Sequence, residues 1–131
     1  MTDIYAVGTK TIYDPSPVGY VVPPIGAWSG LTSSGINSFD TSEFNVYGKF
    51  DSGWNFYCVP GKTGGTTFYP AIGSRYNTNG KVYYVKESGG YWSGTPYSTF
   101  GGYYMSFGET SLLVENTSGR ARGLGVRPIR E

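Results

Sequence analysis

The chain has no histidine and a single cysteine, Cys58, among its 131 residues. The lack of histidine removes the side chain that most often serves as a general base and as a metal ligand. A lone cysteine cannot form an internal disulfide bond, and the apolar residues that flank Cys58 favour a buried, unreactive thiol. We therefore expect neither a histidine-dependent active site nor a fold held together by disulfides.

Charged residues are also scarce, at 15% of the chain, and the net charge is only +1. This balance provides no general attraction to nucleic acid or to an anionic membrane. The aromatic-rich run 88–119 contains no lysine or arginine, so it lacks the basic groove that binds single-stranded nucleic acid. No apolar stretch has the length of a membrane-spanning helix. We expect no nucleic-acid partner and no membrane insertion.

Catalytic and metal-binding patterns are missing as well. The nine acidic residues show no paired spacing that would suit general acid–base chemistry. Calcium needs six to eight oxygen ligands, and no cluster of acids that could supply them is visible. The sequence predicts a protein that is not an enzyme and that has no cofactor and no metal site.

Glycine, proline and aromatic residues are abundant instead. The chain has 21 glycines, 8 prolines and 13 tyrosines. Frequent glycine and proline interrupt long helices, whereas tyrosine, threonine and valine favour strands. The length suits one domain, residues 1–131, in which residues 1–10 form a linker or a first strand.

Segments of β-forming residues recur between turn signals along most of the chain. A short helix is expected only around residues 28–31. The fold class predicted from these patterns is α+β, with mainly short antiparallel strands and one or two short helices in the N-terminal half. The predicted strands cover residues 20–22, 54–59, 66–73, 81–85, 91–95, 103–107, 111–115 and 123–129.

Alternation along the strand 103–107 predicts which side chains are buried. Met105 and Phe107 lie two residues apart and are apolar, so their face of the strand is expected to point inward. The intervening residues are then expected to face solvent. The predicted core positions are Tyr103, Met105, Phe107 and also Trp92, and the predicted outward positions are Tyr104, Ser106 and Gly108.

Five segments between about residue 11 and residue 130 are, in chain order, DPSPVGYVVPP, FDSGWNFYC, TTFYPAIGSRY, GYWSGTPY and RARGLGVRPI. Together they resemble one known group, the Fibrobacter succinogenes major paralogous (FISUMP-type) domains of gut bacteria. The resemblance implies a C-type-lectin-like fold, similar to the variable proteins of diversity-generating retroelements. It also implies a ligand-binding function.

One departure from the group concerns two cysteines near the ends of the domain. Ser16 and Pro128 stand where members of the group often carry cysteine. The resemblance implies that the first and last strands pair in space. In this chain that pairing has to be noncovalent.

Tyrosine, serine, glycine and threonine in quantity are typical of protein surfaces that recognise many ligands. The resemblance places residues diversified by a retroelement in the C-terminal third of the chain, where strand alternation also exposes polar positions. The predicted ligand-binding surface consists of Tyr91, Ser93, Tyr97, Ser98, Phe100, Gly101, Tyr104, Ser106, Gly108, Glu115, Thr117, Ser118 and Arg122.

The resulting functional hypothesis is a receptor-recognition or adhesion domain of a phage or bacterial surface protein. Its expected partner is a host cell-surface protein or glycan, and its expected location is extracellular, on a bacterial cell surface or a virion. The alternative is a structural or assembly module of a surface protein, pilus or tail fibre without a ligand of its own. In either case the domain could form a homo-oligomer through its parent protein.

Overall fold

The computed structural model describes residues 14–76, 78–99, 101–119 and 122–130. Residues 1–10, predicted to be a linker or a first strand, lie outside this part of the chain. Phe100, a predicted surface residue, lies outside it too.

The described residues form ten strands and two short 3-10 turns. The turns are Ser29–Leu31 and Thr41–Glu43. The strands are β1 (Tyr20–Val21), β2 (Val46–Tyr47), β3 (Gly53–Val59), β4 (Thr63–Pro70), β5 (Ser74–Arg75), β6 (Val82–Tyr83), β7 (Ser88–Pro96), β8 (Gly101–Gly108), β9 (Leu112–Gly119) and β10 (Ile129–Arg130).

Two three-stranded antiparallel sheets make up the body of the domain, with strand orders β2-β3-β4 and β7-β8-β9. Their strands arise where aromatic and polar residues alternate, because alternate side chains point to opposite faces of a sheet. In β3, Trp54 and Phe56 are buried, whereas Asn55 and Tyr57 are only half-buried. One face of each sheet is therefore available to form a core.

Aromatic side chains from both sheets meet in that core. The fully buried ring of Phe56 lies edge-on to Phe107 of β8, with 5.8 Å between ring centroids. Tyr69 of β4 contacts Tyr91 of β7 in the same geometry at 5.2 Å, an arrangement that aromatic pairs favour. The indole N–H of Trp54 donates to the carbonyl of Gly108 at 2.9 Å. These contacts join the two sheets face to face, as in a β-sandwich.

The ends of the described chain meet in a small sheet of their own. β1 pairs with β10 in antiparallel register, with Val21 opposite Ile129. The expectation that the first and last strands pair without a disulfide is thus confirmed for the strands that the structure describes. A second small sheet, β5-β6, follows the first large one along the chain.

The predicted α+β, C-type-lectin-like fold class is wrong. Strands make up 49% of the structure and helical turns 5%, and the described residues contain no helix of seven or more residues. The helix expected at residues 28–31 is a single 3-10 turn. Gly26, with φ +98°, and the extended Thr32 confine it on either side. Its Trp28 is nevertheless fully buried in the core.

Most of the predicted strands are confirmed, with ends displaced by a few residues. The exception is the segment 123–129, of which only Ile129 belongs to a strand. Gly123 and Gly125 instead make isolated bridges, to Arg75 of β5 and Tyr91 of β7. The C-terminal segment therefore crosses from β5 to β7, and this crossing shapes one of the two concave surfaces described next.

Candidate functional site

Alternate residues of β8 contribute to two separate concave surfaces. Tyr103 lines a groove beside β9, and Tyr104 and Ser106 line a pocket beneath the C-terminal segment. We call the first the β9 groove and the second the Arg122 pocket. The two surfaces share no lining residue.

The β9 groove is lined by Tyr103, by the β9 segment 114–117 and by the loop segment 35–37, and its volume is about 550 Å³. The loop is fixed to the edge of β9 by Asn37. Its side-chain amide donates to the Glu115 carbonyl and accepts from the Glu115 backbone N–H, both at 3.0 Å. Asn37 thus pairs with β9 as a neighbouring strand would.

Backbone hydrogen bonds extend this pairing by one residue. Ser38 and Leu112 exchange N–H to carbonyl bonds of 2.9 Å in both directions. The loop side of the groove therefore has a fixed distance from β9, so the groove does not need to form when a ligand arrives.

Tyr103 supplies the aromatic part of the groove lining. The ring of Tyr97 lies edge-on to that of Tyr103, with centroids 5.5 Å apart, so Tyr97 adjoins the groove. Tyr97 is 59% exposed, and Ile36 in the lining is 67% exposed. Glu115 and Thr117 add polar side chains to the lining.

A bulge decides which residues of β9 face the groove. Tyr104 pairs with Asn116 and Ser106 pairs with Leu113, so two steps along β8 match three along β9. Because of the extra residue, the β9 side chains beyond the bulge point to the opposite face of the sheet from the one that simple alternation would give. Thr117, opposite Tyr103, consequently shares its face of the sheet.

The Arg122 pocket lies where the C-terminal segment crosses the second sheet. The Trp92 N–H donates to the Gly125 carbonyl at 2.9 Å, and the Gly125 N–H donates to Gly90 at 2.8 Å. Gly123 exchanges similar bonds with Arg75 of β5. Arg122 directly precedes the first of these attachments and lines a pocket of about 310 Å³.

This crossing makes the predicted exposure of Tyr104 wrong. The Tyr104 hydroxyl accepts hydrogen bonds from Asn116 at 3.1 Å and from Arg122 at 3.4 Å. Its ring lies edge-on to Trp92, and Tyr104 is only 6% exposed.

Two of the predicted core residues are only half-buried. Trp92, predicted to be in the core, lies beside Tyr104 instead. Tyr103, also predicted to be in the core, is half-buried beside the groove, whereas Met105 and Phe107 are in the core as predicted.

The predicted surface residues therefore do not form one continuous surface. Glu115 and Thr117 line the β9 groove, and Tyr97 adjoins it; Tyr104, Ser106 and Arg122 line the Arg122 pocket. Tyr91 is a core residue, and Ser93 is buried with its hydroxyl donating to the Tyr103 carbonyl at 2.8 Å. The remaining described positions are Ser98, which is exposed, Gly108 and Ser118, which are half-buried, and Gly101, which is buried.

Residues from the N-terminal half of the chain were missing from the prediction. Asn37 and Ile36 line the groove although 78 residues separate Asn37 from its partner Glu115. Nothing in the local sequence around Asn37 indicates that contact. Only the antiparallel bridge between Ser38 and Leu112 brings the two segments together.

No group of three or more histidine, cysteine, aspartate or glutamate side chains within the described part of the chain could hold a metal ion. No helix in the same part of the chain is long and apolar enough to cross a membrane.

No protein-family model matches the chain, and no curated protein or solved structure shows significant similarity to it. The resemblance to FISUMP-type domains and to retroelement-diversified proteins therefore stays a prediction from the motifs.

Proposed function

We propose that this chain is a ligand-binding domain that recognises a host cell surface, and that its ligand is a glycan bound in the β9 groove. The observation that carries the proposal is the groove itself, which combines the half-buried ring of Tyr103 with the exposed Glu115 and Thr117 and adjoins the exposed ring of Tyr97. Its volume of about 550 Å³ lies within the range typical of small-ligand sites.

The chemistry of the groove suits a sugar. The exposed ring of Tyr97 and the adjacent ring of Tyr103 offer apolar surfaces on which the C–H groups of a pyranose can pack. Glu115 can accept hydrogen bonds from sugar hydroxyls, and Thr117 can both donate and accept. An aromatic anchor beside polar groups is the arrangement that concentrates binding energy in a few residues.

The rigidity of the groove supports the same proposal. A loop that orders itself on binding reduces affinity, whereas a preformed wall avoids that cost. Asn37 and Ser38 tie the loop to β9 through four hydrogen bonds. The fixed loop also makes the groove suitable for variation, because side chains at its rim can change without altering the backbone that holds it.

Retroelement diversification is part of the proposal. The predicted variable positions Glu115 and Thr117 line the groove, and Ser98 is exposed in the loop after Tyr97. A second copy of the segment encoding residues 90–130 that differs from the first only at adenines would establish that these positions are diversified.

A glycan array followed by titration of the bound glycans tests the function. We expect Tyr97→Ala and Glu115→Gln each to weaken binding about tenfold, which corresponds to the loss of about 1.4 kcal/mol. The matched control is Tyr47→Ala, because Tyr47 is 63% exposed on β2, in the other large sheet. A glycan that binds equally well to the Tyr97→Ala, Glu115→Gln double variant would contradict the proposal.

The alternative is an assembly module whose groove contacts another subunit. It gains support from the exposure of Ile36 beside the groove. Sedimentation of the wild-type chain separates the two functions. Self-association that Tyr97→Ala abolishes, together with no binding on the array, would favour assembly over glycan recognition.

A further inference from the structure

We infer that the Arg122 pocket is a second binding site, specific for a carboxylate carried by a sugar. The inference begins with the guanidinium group of Arg122. It lies 5.4 Å from the ring centroid of Tyr76 and 5.8 Å from that of Tyr104. It donates to the Ser74 hydroxyl at 3.2 Å and to the Tyr104 hydroxyl at 3.4 Å.

These contacts leave most of the binding capacity of Arg122 unused. A guanidinium carries five N–H donors, and only two are engaged with described residues, both with neutral oxygens. The Nε atom is buried and has no hydrogen-bond partner among the described residues. No carboxylate in that part of the chain forms an ion pair with Arg122, so the residues that the structure describes give this half-buried cation no counter-charge.

The walls of the pocket have the polarity that an acidic sugar requires. Hydroxyl groups of Ser74, Ser88, Ser106 and Ser111 line it, and Leu124 supplies an apolar side. None of the lining residues that the structure describes is acidic, so nothing there repels a carboxylate. One N–H on each terminal nitrogen of Arg122 is free to bind the two oxygens of a carboxylate, the pairing that the planar guanidinium favours.

Gly89 and Gly90 line the pocket because other side chains pack directly against their backbone. A Cβ at Gly90 would lie 2.9 Å from the Leu124 side chain, and one at Gly89 would lie 2.7 Å from Phe107. The pocket volume of about 310 Å³ falls at the small end of the range for ligand sites. We therefore assign the pocket to a single sugar unit rather than to a chain.

Arg127 shows by contrast what a structural arginine looks like in this fold. Its guanidinium lies closer to an aromatic ring, 4.5 Å from the centroid of Tyr69. It donates to the Phe68 carbonyl at 2.7 Å and to the Thr67 hydroxyl. Arg127 bridges β4 to the C-terminal segment and lines neither concave surface. Compared with Arg127, Arg122 makes longer hydrogen bonds, lies farther from its aromatic neighbours and lines an open pocket.

Titration of the intact chain with D-glucuronate, followed by NMR chemical shifts, tests the inference. D-glucose is the matched neutral probe, and acetate and inorganic phosphate separate the carboxylate from the sugar and from other anions. We expect glucuronate to bind about tenfold more tightly than glucose, acetate or phosphate, with shifts at Ser106 and Leu124. Equal binding of glucose, or tighter binding of phosphate, would overturn the assignment.

Variants locate the site. Arg122→Gln should weaken glucuronate binding about tenfold or more, and Arg122→Lys, which keeps the charge but loses the paired geometry, should weaken it by less. Arg75→Gln is the control, because Arg75 is exposed, adjoins the C-terminal segment and does not line the pocket. Should Arg122→Gln fail to fold, Arg122→Lys provides the comparison. If glucuronate binds the folded Arg122 variant as tightly as it binds the wild-type protein, the proposed site is refuted.

The proposed carboxylate site can be tested separately from the proposed glycan site in the β9 groove. Tyr97→Ala and Glu115→Gln alter residues that do not line the pocket, and they should leave glucuronate binding unchanged. Loss of glucuronate binding in those variants would instead place the carboxylate in the groove and contradict the assignment to Arg122.

Discussion

At the scale of single residues, buried and exposed tyrosines have different structural roles. Tyr91 is 4% exposed, and its hydroxyl donates to the Pro70 carbonyl at 2.7 Å. Burial raises the pKa of Tyr91 to about 12, compared with about 10 in an unfolded chain. Tyr97, only six residues away, projects into solvent. The same residue type therefore stabilises the core at one position and offers contact area at another.

The raised pKa of Tyr91 predicts a loss of stability at high pH. The folded state retains the Tyr91 proton at a pH where the unfolded chain has released it, so the unfolded state binds fewer protons. Stability from this group is fully present below pH 10 and declines as the pH rises from about 10 to about 12. Urea denaturation at a series of pH values measures this decline.

The Tyr91→Phe variant supplies the comparison. It removes one buried hydrogen bond and should lower the free energy of unfolding at pH 7 by about 1 kcal/mol, while showing a shallower decline above pH 10. Tyr97→Phe is the control, because Tyr97 is 59% exposed and the free energy of unfolding of this variant at pH 7 should lie within about 0.5 kcal/mol of the wild-type value. Identical pH profiles for wild type and Tyr91→Phe would show that burial of Tyr91 does not perturb its titration.

At the scale of elements, short strands are positioned by glycines at points of close backbone approach. Gly73, just before β5, has φ +72°, and a Cβ there would lie 2.2 Å from the Tyr83 carbonyl oxygen. Because Gly73 and Ser74 also line the Arg122 pocket, the approach of β6 to this turn shapes that pocket. Gly80 has a similar φ of +68° but no atom within 4 Å of its Cβ position.

Substitutions at Gly80 and Gly73 distinguish the energetic cost of a left-handed backbone conformation from the cost of steric crowding by a neighbouring strand. Gly80→Ala should cost about 1 kcal/mol of folding free energy, which is the cost of a left-handed conformation alone. Gly73→Ala should cost about 3 kcal/mol or more, because β5 and β6 must also move apart. Chemical denaturation of the two variants measures both effects, and equal losses would mean that the contact with Tyr83 is easily relieved.

At the scale of the whole molecule, one aromatic core joins the two large sheets. Phe56 contacts Tyr69 within its own sheet at 5.4 Å and Phe107 across the sandwich at 5.8 Å. The same cluster includes Trp28 from the first 3-10 turn. Since the sheets share this core, we expect them to unfold together rather than separately.

The Phe56→Ala variant tests that cooperativity. It should lower the free energy of unfolding by about 4 kcal/mol, the usual loss for a buried phenylalanine. Phe68→Ala is the matched control, because Phe68 is 41% exposed on β4, and we expect a loss of about 1 kcal/mol or less. Far- and near-ultraviolet circular dichroism should give coincident transitions in both variants. Two separate transitions would contradict a shared core.

Local features predict a large part of this architecture. Alternation of apolar and polar residues locates β3 and β8 and assigns Met105 and Phe107 to the core. These assignments succeed because the face of a strand that becomes buried depends mainly on its own side chains. The helix predicted at residues 28–31 fails because a few helix-compatible residues between glycines cannot offset the cost of starting a helix.

The amino-acid sequence by itself determined most of the strands and the abundance of tyrosine. Tertiary structure alone decided which tyrosines are accessible. The C-terminal segment covers Tyr104 and places Arg122 beside a pocket, and the bridge between Ser38 and Leu112 brings Asn37 to Glu115. Alternation specifies the two faces of a strand, but exposure depends on what distant parts of the chain pack against each face.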